Sequence, residues 1–514
     1  MKTINYIIGW MLLLVAASCY EDLGNYDYGT KQAIQIDSIN NSYKVNSGDS
    51  LHIIPVIESG REIVAYEWAV YDSLQADATE KVISTQPELH YKVLLPQGLF
   101  QLLFKVTDVD GYTQIYSSLM EVRTVFSEGF YVFKAVGGSS DLDLYPTSKG
   151  KQPMTDLLYN LYERRLQGSP HRLLISPRHK YITNNVPKTE FVMLPLTTEE
   201  TPMIKVQDMS FAFAGGDDFF YQVPNPRETI TYQFYGESNM RALLTDRHAY
   251  SYQNILPTVS GKYGEYAYWA KTMQPAPFGA TYSIFPGGMM FYDNANGDFL
   301  IINQFNQLSG FKMNTPPAEP EKRTIPCSGL DCKMIYMGQP KGGGTAFALM
   351  ENKNTQERYL FTIAMANGVS VKPVEDYNPI LKADTLDSGL NIYKGNNFAV
   401  SENCLYLFYS VGSQVYYYEL LTGNERRLDL PGIQSEEVSM IANLFWLRLP
   451  LTTQWHKWIV ATSNGESYKL YIWNTRGDLP DTSQEPVVYE GLGTPKSIHY
   501  VNPLVPNLNQ YPYN

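Results

Sequence analysis

Apolar and polar residues alternate along most of this chain, and that pattern reads as short β-strands between turns. From residue 33 to 125 the runs Ala33–Asp37, Leu51–Ile57, Ile63–Tyr71 and Leu99–Asp108 have this character. Trp68 falls in mid-strand with apolar neighbours at period two, as a core tryptophan of an Ig-like sandwich does. Val106-Thr-Asp-Val-Asp-Gly111 then turns the chain into a closing strand, Tyr112 to Val122. Roughly 100 residues in this pattern fit one β-sandwich.

From 127 to 505 the strands continue. The exception is Thr155–Gln167, where Leu157, Leu158, Leu161 and Tyr162 share a helical face and Gly168 is placed to end a helix. Elsewhere strand pairs flank tight turns. Gly288–Ile302 folds around Asn296-Gly297, and Trp458–Trp473 around Asn464-Gly465. Cys404–Leu420 crosses Gly412-Ser413, and Thr345–Ile363 crosses Asn352–Thr355. At ~45–50 residues per unit, such a stretch makes about seven or eight blades of a β-propeller. Two further β-sandwiches are the rival architecture. The fold class is all-β either way.

The first 18 residues differ from all this. Lys2 precedes an apolar run, Ile7 to Ala17, and small residues lead into Cys19. That order reads as a lipoprotein signal, with cleavage before Cys19 and acylation of its thiol and new amine. The run is shorter than the ~20 residues a spanning helix needs. Residues 19–32 are polar and acidic and read as a tether, and 506–514 as a C-terminal tail. The expected membrane attachment is through the lipid alone.

A net charge of −12 makes nucleic acid a poor partner. Aromatics reach 13%, with 40 Tyr, which suits half-buried strands and carbohydrate or peptide contact surfaces alike. Cys327 and Cys332 could close a small disulfide loop in an oxidising compartment, or be two thiols flanking a turn. Cys404 reads as a buried strand residue.

Candidate chemistry is sparse, and no cofactor or metal is expected. Lys341-Gly-Gly-Gly-Thr345 lacks the lysine that follows the glycines of a phosphate loop and reads as a turn. Asp293–Asp298 offers one carboxylate where a calcium loop wants several, and reads as a hairpin turn. Asp217 and Asp218 are sequence neighbours; on one strand they would point to opposite faces, unlike the facing carboxylates of a glycosidase. The seven His are scattered, none at metal-ligand spacing. The aromatic group Tyr263, Tyr266, Tyr268 and Trp269 has two readings: rings that stack on a sugar or clamp a peptide, or packing between blades.

Tyr66-Glu-Trp68 and Val106-Thr-Asp-Val-Asp-Gly111 resemble the strand and turn motifs of a PKD domain. Glu128-Gly-Phe-Tyr-Val-Phe-Lys-Ala-Val-Gly-Gly-Ser-Ser-Asp-Leu-Asp-Leu144 is similar to the strand that opens the C-terminal domain of PKD-like family lipoproteins. Their order of lipidated cysteine, Asp/Asn-Tyr-rich tether, sandwich and propeller-like domain is matched across essentially the whole chain. The resemblance implies a bacterial outer-membrane surface lipoprotein found beside SusC/SusD-type nutrient porters; Glu21-Asp22 resembles the acidic signal for the outer face. It implies no chemistry for particular residues.

The expected function is an accessory, noncatalytic subunit of such a porter that captures oligosaccharide or peptide. The alternatives are a structural adaptor of the porter and a propeller glycosidase or lyase. An aromatic funnel would favour binding, converging carboxylates an enzyme, and a large exposed apolar patch without a pocket the adaptor.

Overall fold

The computed structural model describes residues 33–72, 79–147, 150–183, 186–235, 240–253, 261–265, 272–282, 288–303, 308–310, 325–339, 345–365, 378–403, 406–433, 436–448 and 453–502. Cys19 and its tether, Tyr266, Tyr268, Trp269, the glycines after Lys341, Cys404 and the C-terminal tail lie outside them. The chain divides into two compact units, one made chiefly of residues up to Met120 and one running from Glu121 onward. None of the described helices is long and apolar enough to cross a membrane.

The first unit is a sandwich. Ser42–Asn46, Thr113–Arg123, Gly98–Asp108, Ile63–Asp72 and Lys81–Ser84 hydrogen-bond in that order as one antiparallel sheet. Two short strand pairs, Gln35–Asp37 with Val56–Glu58 and Ser50–Ile53 with Leu89–Lys92, complete it. Alternation buries one face. Trp68 is fully buried, stacks on Phe104 at 4.1 Å between centroids, and donates from its indole N–H to the Gln86 carbonyl at 3.0 Å. The Val106–Gly111 turn forms because the Asp108 carboxylate accepts the N–H groups of Asp110 and Tyr112, and Gly111 takes a positive φ of 83°.

The second unit is a propeller of seven blades among the described residues, each an antiparallel sheet of four main strands. Blades 2 to 6 run from inner to outer strand in chain order, starting with Pro170–Thr183, Ile230–Tyr235, Ala280–Tyr282, Cys332–Gly338 and Asn396–Val400. Blade 7 comprises Glu437–Arg448, Thr453–Ser463, Ser467–Arg476 and Val487–Leu492. Blade 1 is assembled from both ends of the unit. Its inner strand is the C-terminal Thr494–Val501, which pairs with Gly129–Val136; Ser139–Tyr145 and Leu166–Gln167 follow outward. The inner strands pack around an axis, with Thr494–Val501 touching both Pro170–Thr183 and Glu437–Arg448. Apolar clusters fill the interfaces between blades, one of them continuous through blades 2, 3 and 4, as expected when both faces of every sheet are buried.

The four expected hairpins are present in register. The expected helix over Thr155–Gln167 is corrected to Leu157–Tyr162, which ends at Glu163 in the left-handed region; Leu166–Gln167 is the outer strand of blade 1. The helix is short because Arg165 is drawn off it into an ion pair with Asp141, and Leu166 is needed in the core. Gly168 serves a tight turn instead. Its φ is +83°, and a Cβ there would lie 2.6 Å from the Thr198 hydroxyl.

Candidate functional site

The sequence-level candidates resolve into packing and turns wherever the structure describes them. Tyr263 is 1% exposed, in the cluster between blades 2, 3 and 4, and its hydroxyl accepts a hydrogen bond from Gln233. Cys327 and Cys332 are brought together in the apolar cluster of blades 4 and 5, where burial pushes the Cys327 thiol up to about 11 and raises that of Cys332. Asp293 is buried, and its carboxylate accepts the N–H of Gln274 at 2.8 Å, the N–H of Ala295 at 2.9 Å and the Asn296 amide at 2.5 Å. This is the Asx turn that an Asn-Gly hairpin uses. Asp218 accepts the N–H groups of Ala214 and Gly215, and Asp217 pairs with Arg227 at 2.6 Å.

Two constellations emerge that sequence reasoning missed. The first lies around the propeller axis. Arg172, near the start of the inner strand of blade 2, sets its guanidinium carbon 5.1 Å from the Tyr232 ring and 5.2 Å from the Phe278 ring. Phe278 meets Tyr336 edge-on at 5.6 Å, and Tyr336 lies 5.7 Å from Phe398. Five segments, one from each of blades 2 to 6, thus carry an arc of rings that starts on an arginine. Arg172, Phe278, Tyr336 and Phe398 are half-buried, so solvent reaches the arc. Small residues make room for it. A Cβ on Gly279 would lie 2.9 Å from the Tyr232 ring, and one on Gly338 would strike Tyr336. Desolvation lowers the Arg172 guanidinium from its ordinary value. His499, buried on the inner strand of blade 1, is held down at about 4 by burial and by the Arg172 charge.

The second constellation sits at the seam between blades 1 and 7. Lys134 is fully buried and pairs with Asp143 at 2.7 Å and Asp156 at 3.1 Å. Arg165 reaches Asp141 at 3.3 Å and Asp156 at 3.4 Å. Asp141 also accepts the N–H groups of Leu142, Leu158 and Tyr159, so it caps the short helix from a neighbouring strand. Tyr468 of blade 7 donates to Asp143 at 2.5 Å and lies 2.6 Å from the Tyr145 hydroxyl, which donates to the Glu490 carbonyl. Burial raises the carboxyls of Asp141 and Asp143, with Lys134 opposing it at Asp143 and the backbone N–H groups at Asp141. A cavity of about 360 Å³ adjoins, lined in part by Asp156, Tyr468, Lys469 and Glu490.

The chemistry of the two differs. At the seam the acids share cations and N–H donors with one another. Asp143 and Asp156 grip one ammonium between them, which is not the open facing pair that glycoside cleavage requires. At the axis, partly buried rings flank a guanidinium, an arrangement that suits stacking on a guest.

A signal for the seam exists in the sequence: Lys134 interrupts the apolar run Phe130–Val136, and Asp141 and Asp143 interrupt Ser140–Tyr145. The axial arc has none, because its members lie on separate blades and meet only when the ring closes.

Residues 19–170 match the PKD-like family, a span that begins at Cys19 and takes in the sandwich and most of blade 1, including Lys134, Asp141 and Asp143. No curated protein matches. The chain is similar to a protein of unknown function from Desulfotomaculum acetoxidans, with 10% identity, a TM-score of 0.37, and coverage of 73% of this chain and 99% of that one. It is similar to the extracellular domain of a putative hybrid two-component system from B. thetaiotaomicron, with 9% identity, a TM-score of 0.35, and coverage of 87% and 63%. A third similar structure is the Cps50 (Swd1) β-propeller domain from a Myceliophthora species, with 11% identity, a TM-score of 0.28, and coverage of 75% and 92%. The propeller assignment rests on strand order and not on these likenesses.

Proposed function

We propose that this protein is a noncatalytic, surface-anchored ligand-binding subunit. A lipid on Cys19 holds it to the bacterial outer membrane, facing outside, and the propeller captures oligosaccharide or peptide for a SusC/SusD-type porter. The observation that carries the reading is the axial arc Arg172–Phe278–Tyr336–Phe398, because half-buried rings around a propeller axis offer stacking surface. The PKD-like match over residues 19–170 supports the anchored, envelope setting. The sandwich acts as spacer and docking piece; Val64, Val109 and Tyr112 are exposed near its Val106–Gly111 turn.

The test is a mild-detergent pull-down of the tagged native protein, with mass spectrometry of retained proteins and small molecules. A porter recovered with a glycan or peptide is the expected result. The porter without cargo would turn the assignment to an adaptor. Turnover of a retained glycan would turn it to an enzyme.

A further inference from the structure

We propose that His52 and His90 form a binding site for a divalent transition-metal ion, Cu²⁺ foremost, on the solvent face of the sandwich. The site uses other residues than the binding-subunit reading and holds or fails independently of it.

The strand pair Ser50–Ile53 and Leu89–Lys92 sets the geometry. Leu51, Ile53 and Leu89 are buried, so alternation along each strand turns His52 and His90 to solvent. The register places the two histidines directly opposite each other. Side chains so paired stand about 5 Å apart at Cβ, close enough for two rings to reach one ion. The rings meet edge-on with 4.8 Å between centroids, and their Nδ1 atoms are 2.6 Å apart. The two residues are 38 positions apart in sequence, so no spacing motif announces them.

That separation matches a particular coordination angle. Two nitrogens bound to one ion at ~2.0–2.1 Å stand about 2.9 Å apart at a right angle and about 3.4 Å apart at the tetrahedral angle. The His52–His90 pair is nearer the first, the angle of a tetragonal Cu²⁺ or Ni²⁺ site. Both rings are exposed and make the small remaining adjustment by rotating about their side-chain bonds.

Glu88 supplies the supporting contact. Its carboxylate lies 3.4 Å from His90 Nε2. A carboxylate beside the far ring nitrogen favours the tautomer that carries its proton there, which keeps the Nδ1 lone pair for a metal. His52 binds through Nδ1 as its Nε2–H tautomer. Among the described residues no group of three His, Cys, Asp or Glu stands ready to hold an ion, so water fills the other coordination positions. The net charge of −12 favours a cation.

The test is titration of the full-length protein in detergent with copper(II) chloride, followed by calorimetry and electron paramagnetic resonance. One ion per chain should bind at this site, with hyperfine structure from two imidazole nitrogens. His52→Gln and His90→Gln should each weaken binding by at least the roughly 10-fold that loss of a mere outer-shell partner costs, and each should leave one nitrogen in the spectrum. Glu88→Gln, which keeps both ligands, should weaken binding about 10-fold while the two-nitrogen spectrum persists. Nickel(II) and zinc(II) chloride should bind more weakly than the copper salt. The three substitutions lie on an exposed face, and circular dichroism checks that each variant folds.

Copper affinity unchanged in either histidine variant would overturn the proposal, because the ion would then sit elsewhere. So would a wild-type spectrum with fewer than two nitrogens, or tighter binding of zinc than of copper. Unchanged affinity in Glu88→Gln would overturn the supporting role assigned to that carboxylate. A pull-down without cargo would strike at the binding-subunit reading and leave this site untouched.

Discussion

Tyr468 donates a 2.5 Å hydrogen bond to Asp143 across 325 positions of sequence, and in doing so ties the last blade to the first. A propeller must close its ring, and this one does so twice. The C-terminal strand Thr494–Val501 completes blade 1 through the backbone, and the Lys134–Asp143–Tyr468 network joins the middle strands of blades 1 and 7 through side chains. Closure fixes how the inner strands approach the axis, and hence the spacing of the rings from Arg172 to Phe398.

Removing the Tyr468 hydroxyl leaves the buried Asp143 carboxylate short of one donor. Tyr468→Phe is expected to lower the stability of the propeller by about 1–3 kcal/mol. Urea unfolding followed by the fluorescence of its tryptophans, Trp458 and Trp473 among them, reads this directly. Tyr145→Phe in the same background should couple, because the two hydroxyls lie 2.6 Å apart.

Lys134→Met should cost more. It strips the shared cation from Asp143 and Asp156 while leaving one carboxylate wholly buried, and breaking such a pair costs about 3–5 kcal/mol. Lys134→Met combined with Asp143→Leu should recover part of that loss, since an apolar pair needs no solvation. Thermal melts of the two single variants and the double variant test this by their departure from additivity.

These two sites mark where the sequence could and could not be read. Strand alternation, the buried Trp68, the Asp108 turn and the Asn-Gly hairpins were legible because each is a local pattern of a few residues. The helix was overread, since Leu157 to Tyr162 carry helical spacing while Arg165 and Leu166 answer to an ion pair and a core that lie elsewhere in the fold. The pairing of Thr494–Val501 with Gly129–Val136, which makes blade 1, has no local signature. Tyr263 looked like a binding ring because aromatic density in sequence does not distinguish a core from a surface; the fold places it at 1% exposure. Phe278 and Phe398 were overlooked because each is a lone aromatic in its own stretch.

His499 makes stability depend on pH with a definite sign. Its folded value is about 4, below the ~6.5 of an unfolded histidine. Between those values the unfolded chain binds the extra proton, so acidification favours unfolding. The contribution is complete above about pH 6.5 and is lost as the pH falls toward 4, by up to about 3 kcal/mol. The raised carboxyls of Asp141 and Asp143 slope the other way, because the folded state holds their protons longer as the pH rises. Comparing wild type with His499→Gln isolates the histidine. The variant should lose less stability than wild type between pH 7 and pH 4.5 by chemical denaturation.

Cys19→Ala should abolish lipidation and send the protein to the soluble fraction of cells, with its fold unchanged by circular dichroism. Fractionation with membranes as before would contradict the anchor.

The most direct test of the account is ligand binding by wild type against the double variant Phe278→Ala/Phe398→Ala, using the cargo recovered with the native protein. Both rings are half-buried at the axis, and each contacts Tyr336. The account predicts a folded double variant whose affinity falls at least about 10-fold, as loss of two stacking surfaces implies. Undiminished affinity in a folded variant would move the binding surface off the propeller axis and contradict it.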